Sequence, residues 1–168
     1  MGRFDDAPEI QLYLLRHAHA GSQENWQGPD SERPLSAKGR RQAELLGAFL
    51  AERAFSPDAI VTSPKVRARQ TADLVADAIG IAVSVDDRLA GPLELDEVSD
   101  ICAKAGGDSV VLVGHDPELS EICGQLLGIA SLEMKKGAFA RFDVALPLVR
   151  GAARLRWLLP PDLVVDRL

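Results

Sequence analysis

The sequence predicts an α/β fold, a single three-layer domain in which helices flank a mostly parallel central sheet. Two observations support this prediction. Over most of the chain, short apolar runs of strand length alternate with longer segments that carry a helical apolar stripe. The short runs show little alternation of polar and apolar residues, which is typical of parallel strands buried on both faces.

The strands are predicted from apolar runs that turn-forming residues interrupt. The first run, residues 10–15, is mostly apolar and is therefore predicted to be a central strand. The last third of the chain differs, since two segments with clearer alternation flank a turn at Arg150 and Gly151 and are typical of paired strands. In chain order, the predicted strands cover residues 10–15, 59–62, 81–85, 110–113, 139–146 and 153–159.

The helices are predicted from their apolar stripes and from the residues at their ends. Ser36 suits the N-cap of the first helix, and Pro64 suits the first turn of the second. Gly80 is typical of a residue that follows a helix C-terminus. The predicted helices run from Ser36 along the stripe of Ala43, Leu46 and Leu50, from Pro64 to residue 79, over residues 94–105, and from Pro117 to near Gly128.

Composition narrows the class of protein. With 168 residues, 46% of them hydrophobic and 26% charged, the chain is long enough for one domain with a real core. We find no repeat or linker, so residues 1–168 are predicted to form one domain, with the polar residues 1–9 as a flexible end. The sequence leaves the oligomeric state open.

Charge and cysteine content exclude several partners. The net charge of -6 argues against nucleic acid or an acidic membrane surface as the main partner. No stretch resembles a leader peptide, and no apolar run approaches about 18 residues, so we expect a cytoplasmic protein. Cys102 and Cys123 lie among apolar residues and are predicted to be reduced core cysteines.

Three basic motifs follow predicted parallel strands. Arg16 and His17 end the first strand, Arg67 lies in the motif SPKVRARQTA after the second, and His115 follows the fourth. Ligand sites of such sheets lie beyond the carboxyl ends of the strands, so we expect these side chains to lie close together. Two guanidinium groups, two imidazoles and nearby helix N-termini are suited to binding a phosphoryl group.

The three motifs, in this order and spacing, resemble those of the histidine phosphatase superfamily. That family carries Arg-His-Gly near its N-terminus, then Ser-Pro-x-x-Arg-Ala-x-Gln-Thr, and later Gly-His. The resemblance covers residues 12–127 and includes RPLSAKGRRQA, which is similar to the family's Leu-Thr-x-x-Gly helix start. The short chain resembles the compact SixA-type branch of phosphohistidine phosphatases. The resemblance implies a phosphoglycerate mutase-like fold.

The resemblance also implies roles for the four site residues. His17 would be the nucleophile and would form a phosphohistidine intermediate, while Arg16 and Arg67 would hold the phosphoryl oxygens. His115 would donate a further hydrogen bond. No metal and no cofactor are expected, because this set of residues suits phosphoryl transfer by positioning and charge. A metal site from His17 and His19 is disfavoured, since no carboxylate is fixed beside them.

The sequence departs from the family pattern in two places. Ala18 replaces the glycine after the nucleophile, and we expect the backbone there to tolerate a methyl group. Larger members carry a glutamate after the third strand as general acid, but the aligned position here is Ala90 or Gly91. The remaining candidates for an acid are Asp30, Glu94, Asp96 and Glu97, of which the last three could instead begin a helix.

The missing acid favours a substrate with a good leaving group. Phosphohistidine on a signalling or carrier protein is such a substrate, since imidazole needs less help from an acid than an alkoxide does. A small phosphate ester remains an alternative substrate within the same superfamily. A phosphoprotein-binding module without turnover is the alternative from another class.

Four further residues receive structural interpretations. His19 is predicted to have a loop or rim role, Ser63 to cap the Pro64 helix, and Asp116 to shape a turn. Trp26 fits a substrate-facing rim and a lid over the core equally well.

Overall fold

The computed structural model describes residues 8–164, which form one six-stranded mixed sheet with helices on both faces. The spatial order of the strands is β3-β2-β4-β1-β5-β6. The strands are β1 (Glu9–Arg16), β2 (Ala59–Thr62), β3 (Val83–Val85), β4 (Ser109–Gly114), β5 (Phe139–Ala145) and β6 (Arg154–Leu159).

The four strands from β3 to β1 are parallel, whereas β5 and β6 run antiparallel to their neighbours. Strand β1 therefore lies between a parallel and an antiparallel partner, in the central position that its apolar sequence predicts. The register pairs Arg16 with Gly114 across β1 and β4, and Leu15 with Phe139 across β1 and β5. The end of β1 thus meets the end of β4 and the beginning of β5.

Alternate residues of the central strands build two cores. Leu12 and Leu14 of β1 face one core, and Tyr13 and Leu15 face the other. The first core contains residues of α3 and α4, and the second contains residues of α1 and α2, so the domain has three layers. The helices are α1 (Ala37–Glu52), α2 (Val66–Ile79), α3 (Leu95–Ala105) and α4 (Glu118–Leu127).

The predicted single α/β domain with a mostly parallel sheet is confirmed, and most element bounds agree within one or two residues. Among the helix starts, the predicted and observed positions differ most for α2, which begins at Val66 rather than at Pro64. Ser63 Oγ accepts a hydrogen bond from the Lys65 backbone N–H just ahead of that helix, at 3.2 Å. The N-cap of α2 is Lys65, and no side chain caps this helix, so the prediction that Ser63 caps it is wrong; Ser63 lies two residues earlier and stabilises the turn that leads into α2.

Three other predictions can be compared with the structure. The flexible end is predicted over residues 1–9, of which residues 1–7 lie outside the described residues. The prediction is wrong for Glu9, which begins β1. Cys102 and Cys123 are buried and free, as predicted. Within residues 8–164, no helix is long and apolar enough to cross a membrane.

Candidate active site

The parallel pairing of β1 and β4 brings the two predicted site histidines together. The His17 backbone N–H donates to Gly114 O at 3.0 Å, which places His17 beside the residue that precedes His115. The centroids of the two imidazole rings are 5.1 Å apart. Both side chains are buried. The carboxyl ends of the two strands thus form one site, as the sequence predicts.

A backbone contact fixes which nitrogen of His17 is available for reaction. Nδ1 lies 2.7 Å from the carbonyl oxygen of Ala18, the next residue. A carbonyl oxygen only accepts hydrogen bonds, so Nδ1 carries the proton and Nε2 keeps a free lone pair. An imidazole in this tautomer is prepared to act as a nucleophile through Nε2.

The surroundings also keep the His17 ring neutral. Burial lowers the pKa of His17, and the charges of Arg67, Arg16 and Lys136 lower it further, against the hydrogen bond to Ala18, to about 3. A neutral ring at physiological pH retains the lone pair that attack on phosphorus requires.

His115 offers a buried ring nitrogen to the same space. Its Nε2 lies 2.7 Å from Ser63 Oγ, which is located at the end of β2. When the Ser63 hydroxyl donates this hydrogen bond, Nδ1 of His115 carries the proton and becomes a donor without a partner. Burial and then the charges of His17, Arg67 and Lys65 lower the pKa of His115 to about 3.

Arg67 enters the site from the first turn of α2. Its Nη1 donates to the backbone oxygen of Asp30 at 2.7 Å, and its Nη2 donates to Asp30 Oδ2 at 2.9 Å. Two of the guanidinium nitrogens are therefore occupied by the loop after β1. The Nε of Arg67 is buried and has no hydrogen-bond partner.

Arg16 is fixed by residues from the second half of the chain. Its Nη1 donates to Met134 O at 2.8 Å and forms an ion pair with Asp116 Oδ2 at 3.3 Å. Asp116 also accepts hydrogen bonds from the backbone N–H and the hydroxyl of Ser120. The carboxylate therefore shapes the turn, as predicted, and in addition positions Arg16. The Nε of Arg16 is buried without a partner.

The unpartnered nitrogens identify what the site is built to bind. Among residues 8–164, the buried side-chain nitrogens and oxygens without a hydrogen-bond partner are Nε of Arg16, Nε of Arg67 and Nδ1 of His115. Buried polar groups are nearly always paired, so two unpaired guanidinium N–H groups and an unpaired imidazole nitrogen, in residues at or after the carboxyl ends of β1, β2 and β4, indicate an oxyanion ligand. The same part of the chain holds no group of three or more metal-ligating side chains.

The structure accommodates Ala18 at the position of the family glycine. Ala54 has the one positive φ angle among the described residues other than glycine, so Ala18 adopts a backbone conformation that alanine tolerates. The Ala18 backbone N–H donates to Thr71 Oγ1 of α2 at 3.1 Å. This contact connects the loop after His17 to the helix that carries Arg67.

The candidate acids take part in arginine contacts or in the start of a helix. Burial alone would raise the pKa of Asp30, but hydrogen bonds and charge from Arg33 and Arg67 hold it below its ordinary value, so the group is ionised at neutral pH. Glu94 is the N-cap of α3, and its backbone N–H donates to Glu97 Oε2 at 2.8 Å. Glu94, Asp96 and Glu97 thus begin a helix, which is one of the two readings that the sequence allows.

His19 and Trp26 lie in the segment between β1 and α1. Nδ1 of His19 is 2.7 Å from Ser36 Oγ, the N-cap of α1, which agrees with its predicted loop role. Trp26 is half-buried and lines an open hollow of about 250 Å³ together with Arg33. None of Arg16, His17, Arg67 and His115 lines this hollow, so the rim and the lid both stay predictions for Trp26.

A larger cavity, of about 530 Å³, lies away from this chemistry. It is lined by mostly apolar residues near Glu9, at the beginning of β1, and Ala145, at the end of β5. Arg16 and His17 lie at the opposite end of β1. Volume alone would select this cavity, but the unpaired buried donors are located at the carboxyl end of the parallel strands, and we place the site there.

Sequence reasoning missed Lys136, which is half-buried at the site. Its charge contributes to the lowered pKa of both His17 and His19. The residue precedes β5, and because β5 runs antiparallel to β1, the beginning of β5 lies at the end of β1. The antiparallel pairing is the observation that would have located it.

Comparison with known proteins agrees with this geometry. The family profile described as histidine phosphatase superfamily (branch 1) matches residues 12–91. An uncharacterized protein of Picosynechococcus sp. strain PCC 7002 is 34% identical over 116 residues, which cover 67% of this chain and 70% of that protein. A Salmonella paratyphi A protein assigned as the phosphoglycerate mutase GpmB is 30% identical over 155 residues, 87% of this chain and 67% of that protein.

The chain belongs to the histidine phosphatase superfamily. Membership in this superfamily supports phosphatase activity. Several relatives assigned as GpmB are considerably longer, since the match covers 52% of the Klebsiella pneumoniae protein and 37% of the Yersinia enterocolitica protein.

Solved structures place the chain in the compact, SixA-type branch of the superfamily. The structure of the protein histidine phosphatase SixA complexed with tungstate superposes with a TM-score of 0.79 at 21% identity and covers 93% of this chain and 100% of that one. A protein assigned as phosphohistidine phosphatase SixA from Agrobacterium tumefaciens gives a TM-score of 0.72 at 28% identity and covers 90% and 98%. The phosphoglycerate mutase-like fold is therefore confirmed.

Proposed function

We propose that this protein removes the phosphoryl group from phosphohistidine on another protein and that His17 carries the group in transit. One observation supports this most strongly. Three buried nitrogens without a partner, on Arg16, Arg67 and His115, belong to residues near a neutral imidazole whose Nε2 lone pair is free. An oxyanion held by those donors would lie next to a nucleophile, which is more than a binding site requires.

In the first step, Nε2 of His17 attacks phosphorus in line with the bond to the substrate imidazole. A P–N bond to His17 forms while the P–N bond of the substrate breaks. The substrate ring, protonated on its other nitrogen, takes the bonding electrons and leaves as neutral imidazole. Arg16, Arg67 and His115 stabilise the negative charge on the oxygens of the transferring group. The hydrogen bond from Nδ1 to Ala18 O stabilises the positive charge that His17 gains.

In the second step, water attacks the phosphorus of phosphorylated His17. The bond from phosphorus to Nε2 breaks, its electrons return to the ring, and inorganic phosphate leaves after the water has lost a proton. His17 returns to the neutral tautomer in which Nδ1 is bound to Ala18 O. Neither step requires a group beyond the described residues and water.

The carboxyl groups of the site favour phosphohistidine over an ester. Asp30 and Asp116 are both bound to arginines, and the position where larger members carry a glutamate is Ala90 or Gly91. An alkoxide leaving group depends on a general acid, which typically contributes about 10²–10⁴-fold in rate. Imidazole leaves more readily, so the missing acid costs less on phosphohistidine.

The comparisons also favour phosphohistidine as the substrate. A protein assigned as phosphohistidine phosphatase SixA from Agrobacterium tumefaciens is 28% identical to this chain and covers 90% of it. The name of that protein supports the same substrate class here.

A small phosphate ester is the second candidate substrate. The observation that favours it is the set of relatives assigned as phosphoglycerate mutase GpmB, a name that refers to a phosphate ester. This alternative requires a working general acid. Asp30, Glu94, Asp96 and Glu97 are the carboxylates to test, and conversion of each to its amide should lower ester turnover if it is the acid.

The deciding experiment compares phosphate release from a phosphohistidine-bearing protein and from p-nitrophenyl phosphate, for the wild type and His17→Asn. We expect strong activity on phosphohistidine, weak activity on the ester and loss of both in the variant. An acid-labile, base-stable phosphoenzyme should be trapped in the wild type alone. Comparable turnover of the ester would favour the second candidate, and phosphate binding without any turnover would refute enzymatic function.

A further inference from the structure

Lys136 is a half-buried cation whose place beside the nucleophile is fixed by the backbone. The N–H of the next residue, Gly137, lies 3.1 Å from Arg16 O and 3.0 Å from His17 O and donates to both. The Arg16 backbone N–H in turn donates to Ala138 O at 3.1 Å. The segment that carries Lys136 is therefore attached directly to the dipeptide that carries the nucleophile.

The segment has little freedom to move away. Gly137 has a φ of +83°, a conformation that side chains rarely adopt, and a Cβ at this position would lie 3.3 Å from Pro161 Cβ. The Met134 backbone N–H donates to Ser120 Oγ at 2.9 Å, which fixes the other side of the segment to α4. Lys136 is thus held at the site between two anchored points.

The ammonium group of Lys136 lies among like charges. Within residues 8–164 it has no ion pair and no hydrogen bond, whereas Arg16 and Arg67 each have a carboxylate partner. Burial lowers the pKa of Lys136, and the charges of Arg16, Arg33, Arg67 and Lys38 lower it further. A partly desolvated cation among other cations is unfavourable unless an anion joins them.

The neighbouring lysine provides the contrast. Lys135 belongs to the same segment but is exposed. The chain has a net charge of -6, so acidic side chains outnumber basic ones. A shortage of acidic partners therefore does not explain why Lys136 lies among cations. The same space contains the unpaired Nε atoms of Arg16 and Arg67, which indicate an oxyanion.

We propose that Lys136 is a further catalytic residue, which contacts the phosphoryl group of the bound substrate and stabilises its charge during transfer. This inference rests on the proposed phosphatase function and extends it. Lysine acts as a flexible point charge on phosphate, so it complements the fixed donors of Arg16 and Arg67.

The test compares Lys136→Met with Lys136→Arg and with the matched control Lys135→Met. Binding of inorganic phosphate and of tungstate is measured by calorimetry, and kcat and KM are measured on a phosphohistidine-bearing protein. We expect Lys136→Met to weaken phosphate binding and to lower kcat/KM by roughly 10- to 100-fold each, the effect of losing one charged hydrogen bond. Lys136→Arg should recover part of the loss, and Lys135→Met should behave like the wild type.

Several outcomes separate this inference from the proposed function. Lys136→Met that binds phosphate as tightly as the wild type would overturn the inference even if the wild type is an active phosphatase. A wild type that binds phosphate but hydrolyses nothing would overturn the proposed function, while the binding comparison would still decide whether Lys136 contacts the anion. A purely structural role would lower the melting temperature of Lys136→Met without weakening phosphate binding, and that result would also refute the inference.

Discussion

Mild acid should destabilise this protein through its two site histidines. In the folded chain the pKa of His17 and that of His115 are each lowered to about 3, from an ordinary value of 6.5. Both residues are buried, with 5% of the surface of His17 and 6% of that of His115 exposed. Below pH 6.5 the unfolded chain binds protons at these rings and the folded chain does not. The free energy of unfolding therefore decreases as the pH is lowered from about 6.5 to about 3.

The magnitude follows from proton linkage. Between about pH 7 and pH 5.5, each ring that stays neutral in the folded state lowers the free energy of unfolding by about 1.3 kcal/mol, and the pair lowers it by about 2.5 kcal/mol. This is a large part of the stability of a typical domain, roughly 5–15 kcal/mol. The pKa values of Asp30, Asp86 and Asp143 are lowered from an ordinary value of 3.8. These carboxyl groups therefore affect stability at a lower pH than the range from about pH 7 to pH 5.5.

The assay is urea unfolding of the wild type, His17→Asn and His115→Gln at the two pH values, in buffers that contain no phosphate. Asparagine can preserve the donor to Ala18 O, and glutamine can preserve the contact with Ser63 Oγ. Each variant should lose about half of the pH dependence. His19, whose pKa is also lowered, contributes equally in all three proteins and cancels. Variants with the pH dependence of the wild type would refute the conclusion that burial keeps the site rings neutral.

Two further predictions concern how the site is supported. Gly39→Ala should lower the free energy of unfolding, measured in urea, by about 1–3 kcal/mol or more, because the new Cβ would lie 1.8 Å from His19 O. Gly91→Ala is the control, since nothing lies within 4 Å of a Cβ at that position. Equal stability of the two variants would contradict the argument. Asp116→Asn should weaken phosphate binding and lower kcat/KM by about tenfold, since the amide loses the ion pair that positions Arg16. Calorimetry at equal melting temperature tests this, and unchanged affinity would show that Met134 O alone suffices to hold the guanidinium.

The fold could be predicted because its signals are local. Apolar runs and helix stripes fix the type of each element, and Ser36 is found as the N-cap that the sequence predicts. The start of α2 was misplaced by two residues, since Pro64 suits a first turn but Lys65 has an extended backbone. Proline preferences at helix starts do not distinguish the first turn from the residues just before it.

The site could be predicted in part, for a reason of geometry. Residues that follow parallel strands meet at one edge of the sheet, which places His17 and His115 together without knowledge of any contact. The contact of Arg16 with Met134 and the location of Lys136 depend on how β5 pairs with β1. Pairing across more than a hundred residues has no local sequence signal, so these contacts could not be foreseen.

The hydrogen bond between Arg16 and Met134 has a consequence for protein synthesis. The two residues are 118 positions apart, so the carbonyl group that holds the guanidinium is synthesised long after Arg16. Contacts of such long sequence separation form late, because a large loop must close first. A growing chain therefore contains Arg16 and His17 before the carbonyl that holds Arg16, and the candidate site becomes complete only after the segment that precedes β5 has packed against β1.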